Sequence, residues 1–471
     1  ARLAGQYYEQ QGSLIAYPFE PTNNVWRYDP FVGLVPIAVP TEIYGEVMAM
    51  RRSAHALAID PQHKQALGLY VAANLKREND LPQGQSDPIY GDQTYSPQFF
   101  ATVFGTAVNL DVLGLALYGA DTPLVRDALE ALAETTGGSN LFPEGRSNQP
   151  LLAALSYPDR RVQYDAALIL ARALPSQDFP ESYRVVPLLA SAVRTGGESY
   201  GIVIADDDEN RRQAAAALET MDFNVVAADS SVGSAAPAFA DAPGIDLAIV
   251  RMGSAEEAKQ AVERLRQEPR TAVTPVLILA SGVDVPGLKR DYQRNPRVRV
   301  SRPGLTDQGM ATLVENLLDA AVGGRMTEAE AEVYAIESLA ALRDVAIAGS
   351  PAFNLLEAET SLIDALNQRT GGTRMLIAEI LARMNSRTAQ RALFDAALEA
   401  EGAEQIGLLD QVTASVKRFG SLGTEQHIAA VLQLVETSTG ETAEAAARLH
   451  GALNLPDTNA VKLILEAQPE D

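Results

Sequence analysis

The chain has no cysteine and only four histidines among its 471 residues. The absence of cysteine excludes disulfides, thiolate metal sites and cysteine nucleophiles. None of the histidines has the His-x-x-Glu-His or Glu-x-x-His spacing of a metal-binding helix; they are His55, His63, His427 and His450. The sequence therefore predicts no metal site.

Basic residues and long apolar runs are also scarce. Lys and Arg number 38 against 61 Asp and Glu, which gives a net charge of −23. Nucleic-acid phosphates are bound by clusters of Lys and Arg, so we expect no nucleic-acid partner. Gly, Asp or Arg interrupts the apolar runs before the ~20 residues that a membrane-spanning helix needs, and we expect no membrane span. A hydrophobic content of 46% is ordinary for a globular protein.

Motifs of nucleotide-binding and hydrolytic enzymes are missing too. No Gly-x-Gly-x-x-Gly follows a predicted strand, and no Gly-x-x-x-x-Gly-Lys-Ser/Thr occurs. The one Gly-x-Ser-x-Gly, at Gly197–Gly201, leads into a strand, whereas a nucleophile elbow turns from a strand into a helix. We predict no catalytic residue, no cofactor and no enzymatic activity.

What the chain does contain is a series of short apolar segments, alternating with helical patterns, that predict buried parallel strands. The first ends in Asp206 and Asp207, and the next ends in Arg251. Ala280 lies at the end of the third, and Arg302 follows the last, just before a proline. The segments are Ser199–Asp208, Gly244–Met252, Thr274–Ser281 and Val298–Gly304.

This pattern resembles the receiver domain of response regulators, a flavodoxin-like α/β fold. In that family the strand ends carry an acidic pair for magnesium, a phosphate-accepting aspartate, a Thr or Ser hydroxyl and a lysine. Asp206 and Asp207 match the acidic pair, but Arg251 replaces the acceptor, Ala280 the hydroxyl and Arg302 the lysine. A guanidinium cannot accept a phosphoryl group, and it puts a cation where a divalent ion needs oxygen. The resemblance implies a magnesium-free pseudo-receiver that is not phosphorylated.

Several roles stay open for these five residues. Asp206 and Asp207 lie between a strand and a helix, where aspartate caps free backbone N–H groups. Arg251 either pairs with one of them, mimicking an occupied pocket, or points to solvent. Alternatively, Arg251 and Arg302 together bind a small anion, since paired guanidinium groups suit carboxylate or phosphate.

An internal repeat precedes this stretch. Six positions recur at a constant offset of 38 residues, close to the period of HEAT repeats. The second copy, Leu151–Leu170, resembles a HEAT repeat: Pro158 suits the first turn of its second helix, and Asp159 adds favourable charge there. Small Ala166 and Ala167 allow close helix packing. The matching positions are Leu117, Asp121, Leu124, Asp127, Ala128 and Leu132, aligned with Leu155, Asp159, Val162, Asp165, Ala166 and Leu170.

The flanking segments complete the predicted organisation. Ala54–Ala66, with Pro61, resembles the junction of a tetratricopeptide repeat. Tyr7–Pro40 is rich in Tyr, Pro, Asn and Gly and predicts an extended arm that packs on its own helices or reaches a neighbour. Helical patterns resume at Thr327 and resemble a second HEAT-like block, whose last helix is predicted at Thr458–Glu466. The predicted domains are an extended arm (1–40), a TPR-like hairpin and linker (41–95), HEAT-like repeats (96–196), a degenerate receiver-like domain (197–323) and C-terminal HEAT-like repeats (324–471).

We therefore predict a mostly α protein in which HEAT-like α-solenoid segments flank an α/β domain with a parallel sheet. Solenoids build concave surfaces that bind proteins. The expected function is a non-enzymatic scaffold that binds protein partners or assembles with itself as a homo-oligomer. Two alternatives stay open: a signalling adaptor whose pseudo-receiver senses an anion or a partner, and an accessory subunit of an enzyme complex.

The cellular location is open as well. A start at Ala1 fits cleavage behind a signal peptide, and the lack of cysteine suits an oxidising compartment; both favour export or a periplasmic location. The receiver resemblance points the other way, because receivers work in the cytoplasm beside their kinases.

Overall fold

The computed structural model describes residues 1–82, 84–141, 149–239, 241–455 and 461. Within these residues the chain forms twenty α-helices and two β-sheets. The protein is therefore mostly α with one parallel-sheet α/β domain, as predicted. Two compact units contain the chain: residues 1–169 with 197–327, and residues 170–196 with 328–471. This grouping differs from the five predicted domains, since the α/β stretch shares a unit with the helices that precede it.

The first unit begins with a helix and a β-hairpin where an extended arm was predicted. Buried Val25 and Val39 hold the hairpin on the helices behind it. The Asn23 amide donates to Tyr17 O and to Thr41 Oγ1, both at 2.9 Å, which fixes the base of the hairpin. The elements are α1 (Arg2–Tyr8), a 3-10 turn (Gly12–Leu14), β1 (Thr22–Asp29), β2 (Gly33–Pro40), α2 (Thr41–Ile59) and α3 (Lys64–Asn79).

The predicted repeat has a structural counterpart in two capped helices. Asp121 Oδ1 accepts from Leu124 N at 3.2 Å, and Asp159 Oδ1 accepts from Val162 N at the same distance. Aspartates related by the sequence offset thus cap equivalent helices. One detail of the prediction is wrong: the second of these helices starts at Arg160, so Pro158 precedes it rather than lying in its first turn. The helices are α4 (Pro97–Gly119), α5 (Thr122–Thr135), α6 (Gln149–Ala154) and α7 (Arg160–Arg172).

Helix α4 is long and apolar enough to cross a membrane, judged by length and composition alone. Of its most apolar window, 39% is buried inside the protein. Core helices of globular proteins can meet the same criteria, so the absence of a membrane span stays a prediction.

The α/β domain is a five-stranded parallel sheet in the order β4-β3-β5-β6-β7. Successive residues of a strand face opposite sides, so Ile202 and Ile204 pack on α10, α11 and α12, while Val203 and Ala205 pack on α9 and α13. Burial on both sides explains the continuous apolar runs of the sequence. The elements are β3 (Ser199–Ala205), α9 (Asp208–Thr220), β4 (Phe223–Asp229), α10 (Val232–Phe239), β5 (Leu247–Arg251), α11 (Ala255–Gln267), β6 (Val276–Leu279), α12 (Val285–Asp291), β7 (Val298–Ser301) and α13 (Asp307–Val322).

The second unit is a two-row array of helices. Contacts run in series through α14, α16, α18 and α20, and in a second series through α15, α17 and α19. Such rows are typical of solenoid-like stacks of helical hairpins. The predicted helix at 458–466 lies, apart from Val461, outside the described residues. The helices are α8 (Val185–Arg194), α14 (Glu328–Ala348), α15 (Glu359–Gln368), α16 (Gly371–Leu381), α17 (Arg387–Glu399), α18 (Gly402–Phe419), α19 (Glu425–Thr437) and α20 (Gly440–Ala452).

Candidate functional site

The five residues predicted from the receiver resemblance all lie at the carboxyl edge of the parallel sheet. Asp206 and Asp207 follow β3, and Arg251 ends β5, where it stands beside Ala205 in the strand register. Ala280 follows β6 and is buried, and Arg302 follows β7. Ligands of doubly wound sheets bind at this edge, next to the point where the strand order reverses. Here the reversal lies between β3 and β5.

The two aspartates have different surroundings. Asp207 is the N-cap of α9: its Oδ1 accepts from Glu209 N at 2.9 Å and from Asn210 N at 3.0 Å. Asp206 Oδ2 faces the loop after β5, and a Cβ on Gly253 would lie 3.0 Å from it. Gly253 therefore leaves room for the Asp206 carboxylate, while Asp207 has the capping role that was weighed against metal binding.

The arginines contact neighbours other than the acidic pair. Arg251 Nη1 donates to Gln213 Oε1 on α9 at 3.0 Å. Arg302 lies over the loop after β6, with its Nε 3.6 Å from where a Cβ on Gly282 would be. Strand β6 separates their two strands by about 10 Å. Arg251 thus has a partner of its own, and the anion site formed by both arginines gains no support from these positions.

A further cation at this edge was missed by the sequence reasoning. Arg211, in the first turn of α9, donates from Nη1 to Ala205 O at 2.8 Å and pairs with Asp208. Its position four residues after the capping Asp207 is the signal that could have identified it. Among the described residues, no group of three or more His, Asp or Glu side chains could hold a metal ion.

The opposite, amino edge of the sheet carries an ion pair that the sequence did not predict, between a buried arginine and a partly exposed aspartate. Asp246, just before β5, accepts from Tyr200 N at 2.7 Å and from Arg160 Nη2 at 3.0 Å. Arg160 comes from the start of α7 and also donates to Glu198 O at 2.8 Å. Gly244 permits this approach, because a Cβ there would lie 2.7 Å from Arg160 Cδ. A Gly-x-Asp immediately before an apolar strand is the signal that could have indicated it.

Burial and neighbouring charges shift the pKa values of both residues of this pair. Burial raises the pKa of the Asp246 carboxyl above its usual range, and the positive charge of Arg160 partly opposes that effect. Burial lowers the pKa of Arg160, but interactions with Asp246, Tyr164 and Tyr200 together outweigh burial and leave that pKa above its usual value. The pair joins α7 to the sheet.

A third feature is the exposed outer face of the β1–β2 hairpin. Trp26 stands opposite Pro36 and Tyr28 opposite Leu34, and all four side chains point away from the helices behind the hairpin. Phe31, in the connecting turn, is 96% exposed, and Tyr28 is 70% exposed. Single exposed apolar side chains are ordinary, but a contiguous group of aromatics marks an interaction surface.

Comparison with known proteins does not extend these observations. No protein-family model matches the chain, and no curated protein matches it.

Proposed function

We propose that the protein is a non-enzymatic scaffold that associates with a second copy of itself through the outer face of the β1–β2 hairpin. The observation that carries this proposal is the group of exposed apolar side chains there: Trp26, Tyr28, Phe31, Val32 and Leu34. Their exposed area is on the order of 600 Å². That value is at the upper limit for the largest patch of a typical monomer and approaches the roughly 800 Å² per partner of a stable interface.

The composition of this face favours a second copy as its occupant. The outward positions of the two strands carry no charge, whereas Arg27 and Asp29 occupy the other face. A two-fold interface brings the same face of two copies together, so a face of one charge sign would repel itself. The outward residues are Asn24, Trp26, Tyr28, Leu34, Pro36 and Ala38. The chain has a net charge of −23, so most of its surfaces would repel the same surface of a second copy. The uncharged apolar face of the hairpin can pack against its counterpart without that repulsion.

The interaction is one of face packing rather than of strand addition. Pro36 lacks an N–H, which makes the edge of β2 a poor template for another strand. On the other strand, the Trp26 carbonyl already accepts from Arg51 Nη2 at 3.2 Å. Burial of the aromatic side chains would therefore supply most of the association free energy.

We infer further that the helical rows are HEAT-like and that the α/β domain is receiver-like and phosphorylation-incompetent. The repeated capping aspartates and the two helical rows support the first assignment. The sheet order, which flavodoxin-like folds and receivers share, supports the second. Arg251 in the acceptor position, bonded to Gln213, supports the lack of phosphoryl transfer. Binding of protein partners by the array rests on analogy with other solenoids.

Light-scattering mass after size-exclusion chromatography tests the proposed self-association. We expect the wild type to elute as a dimer or larger homo-oligomer, and the Trp26→Ser/Phe31→Ser double variant to elute as a monomer. Tyr118→Ser is the matched control: Tyr118 is 93% exposed at the end of α4, so it removes a surface aromatic elsewhere. A wild-type monomer at tens of micromolar, or an unchanged mass for the double variant, would contradict the proposal.

A further inference from the structure

A small cavity lies beside the Arg160–Asp246 ion pair at the amino edge of the sheet. Its volume is about 20 Å³, which accommodates one particle the size of a water molecule. Residues from the start of α7, from the segments before β5 and β6, and from the chain after α13 line it, and all belong to the first compact unit. The charged and hydroxyl-bearing residues that matter here are Asp159, Arg160, Arg161, Asp246, Thr274 and Arg325.

Two of the three arginines in its wall have carboxylate partners. Arg160 pairs with Asp246 at 3.0 Å, and Arg161 pairs with Asp159 at 3.6 Å. Each carboxylate balances one guanidinium. The third cation, Arg325, is therefore the one that decides the net charge of the cavity wall.

Arg325 is held without a carboxylate. Its Nη2 donates to Met221 O at 2.7 Å, and its guanidinium lies 4.0 Å from the centre of the Phe223 ring. Burial lowers the pKa of Arg325, and the charges of Asp222, Asp246 and Glu315, none of which forms an ion pair with it in the described part of the chain, oppose that shift. Three guanidinium groups and two carboxylates leave the cavity wall with one surplus positive charge.

The wall also contains buried donors that have no acceptor. The Arg160 side chain is 3% exposed, and its Nε and Nη1 have no hydrogen-bond partner in the described part of the protein. The Arg325 Nε is buried and lacks a partner as well. A buried donor without an acceptor destabilises the fold, and more so when the group is charged. These N–H groups favour an acceptor in the cavity.

We infer that this cavity binds a small inorganic anion of the size of chloride. The cavity has room for a single water-sized particle, the N–H groups of Arg160 and Arg325 that lack partners favour an acceptor, and the surplus positive charge of the lining residues favours an anion over water. Because Arg160 lies on α7 while Asp246 and Thr274 precede strands, the bound anion links the helical repeat to the sheet within one unit. Binding therefore stabilises the folded state of that unit.

Thermal unfolding of the full chain at constant ionic strength tests this inference. Sodium gluconate is replaced stepwise by sodium chloride, and unfolding is followed by Trp26 fluorescence, since the single tryptophan belongs to the same unit. We expect the unfolding temperature to rise with chloride and to level off. At chloride ten times Kd, the folding equilibrium constant rises about 11-fold. An unfolding temperature that is the same in both salts would overturn the inference.

Two arginine variants separate a site from general salt effects. Arg325→Met removes the surplus charge without breaking an ion pair, and we expect it to lose the chloride-dependent rise. Arg302→Met removes an exposed arginine at the opposite edge of the same sheet, and the rise should persist. An equal rise in the Arg325→Met variant would refute the assignment.

A crystallographic measurement on the wild type does not depend on how the variants fold. Bromide replaces chloride in the crystal, and we expect an anomalous peak within hydrogen-bond distance of Arg160 Nη1. A water molecule at that position, with no bromide signal, would refute anion binding.

Discussion

Glu46 provides the sharpest prediction about stability. It lies in the middle of α2 with 0% of its surface exposed. Its Oε1 accepts from Gln10 Nε2 at 2.9 Å, and its Oε2 has no hydrogen-bond partner among the described residues. Burial raises the pKa of this carboxyl from 4.5 to about 7; the charge of Lys76 opposes the shift, and Asp80 adds to it.

The sign of the pH dependence follows from this shift. Between pH 4.5 and about 7 the folded protein keeps a proton on Glu46 that the unfolded chain has released, so stability falls as pH rises through that window. Above about pH 7 the folded state carries a buried carboxylate and the loss is complete. A shift from 4.5 to about 7 corresponds to roughly 3 kcal/mol of unfolding free energy.

Glu46→Gln tests this reasoning because glutamine has nearly the same shape, stays neutral and can still accept from Gln10. Relative to the wild type, we expect its unfolding free energy to improve by roughly 2 to 3 kcal/mol between pH 5 and pH 8. Urea unfolding at several pH values, followed by Trp26 fluorescence, measures the difference. Some pH dependence should remain in the variant, because burial also raises the pKa of Asp127, to about 6.

Glu78→Gln is the matched control, since Glu78 is an exposed carboxyl on the neighbouring helix α3. It should leave the pH profile unchanged. If the Glu46→Gln variant kept the wild-type profile, or lost stability relative to the wild type on going from pH 5 to pH 8, the burial argument would be refuted.

Three further predictions concern the α/β domain. Asp207→Ala removes the N-cap of α9 and should cost about 1 kcal/mol in chemical denaturation, with an unchanged midpoint counting against the capping role. Gly201→Ala places a Cβ 2.8 Å from Leu218 Cδ1 and should cost about 1–3 kcal/mol, whereas Gly304→Asn, in an open loop with positive φ, should cost less in the same assay. Incubation with acetyl phosphate and magnesium should leave the intact mass unchanged, and a phosphorylated species would contradict the loss of acceptor chemistry at Arg251.

The features that could be predicted are those that depend on the pattern of neighbouring residues in the sequence. The edge strand β4 was not predicted, because it is only partly buried, but the other four strands of the sheet follow from continuous apolar runs. Their carboxyl ends meet at one edge by topology, which is why Asp206 and Arg251 could be placed near each other from sequence alone. The repeated Asp121 and Asp159 were visible through their constant offset and prove to have the same capping role.

The hairpin was missed because its turn lacks the usual two-residue signal. Asp29 Oδ1 accepts from Phe31 N at 2.8 Å and from Val32 N at 3.1 Å, and Gly33 follows with a φ of 89°. A loop closed by an aspartate side chain and a left-handed glycine has no Asn-Gly or Asp-Gly pair. The Tyr, Pro and Asn content of the segment then predicted an extended arm.

Arg160 and Asp246 were missed for a different reason. They are 86 residues apart in sequence and meet only because α7 docks on the sheet. Single-sequence patterns report the neighbours along a helix or strand and not such tertiary pairs. The burial of Glu46 could not be predicted either, since a carboxylate in an amphipathic helix is expected on the exposed face.

The two edges of the sheet differ in how many of their polar groups are free to bind a ligand. At the carboxyl edge, where doubly wound folds bind ligands, Asp207 caps α9, Arg251 contacts Gln213 and Arg211 contacts the end of β3. Side chains and backbone of the domain thus occupy three of the groups that a ligand could use. At the amino edge, Arg160 retains buried N–H groups without acceptors beside a cavity with surplus positive charge. We therefore infer that ligand-dependent behaviour of this domain arises where α7 meets the sheet rather than at the carboxyl edge.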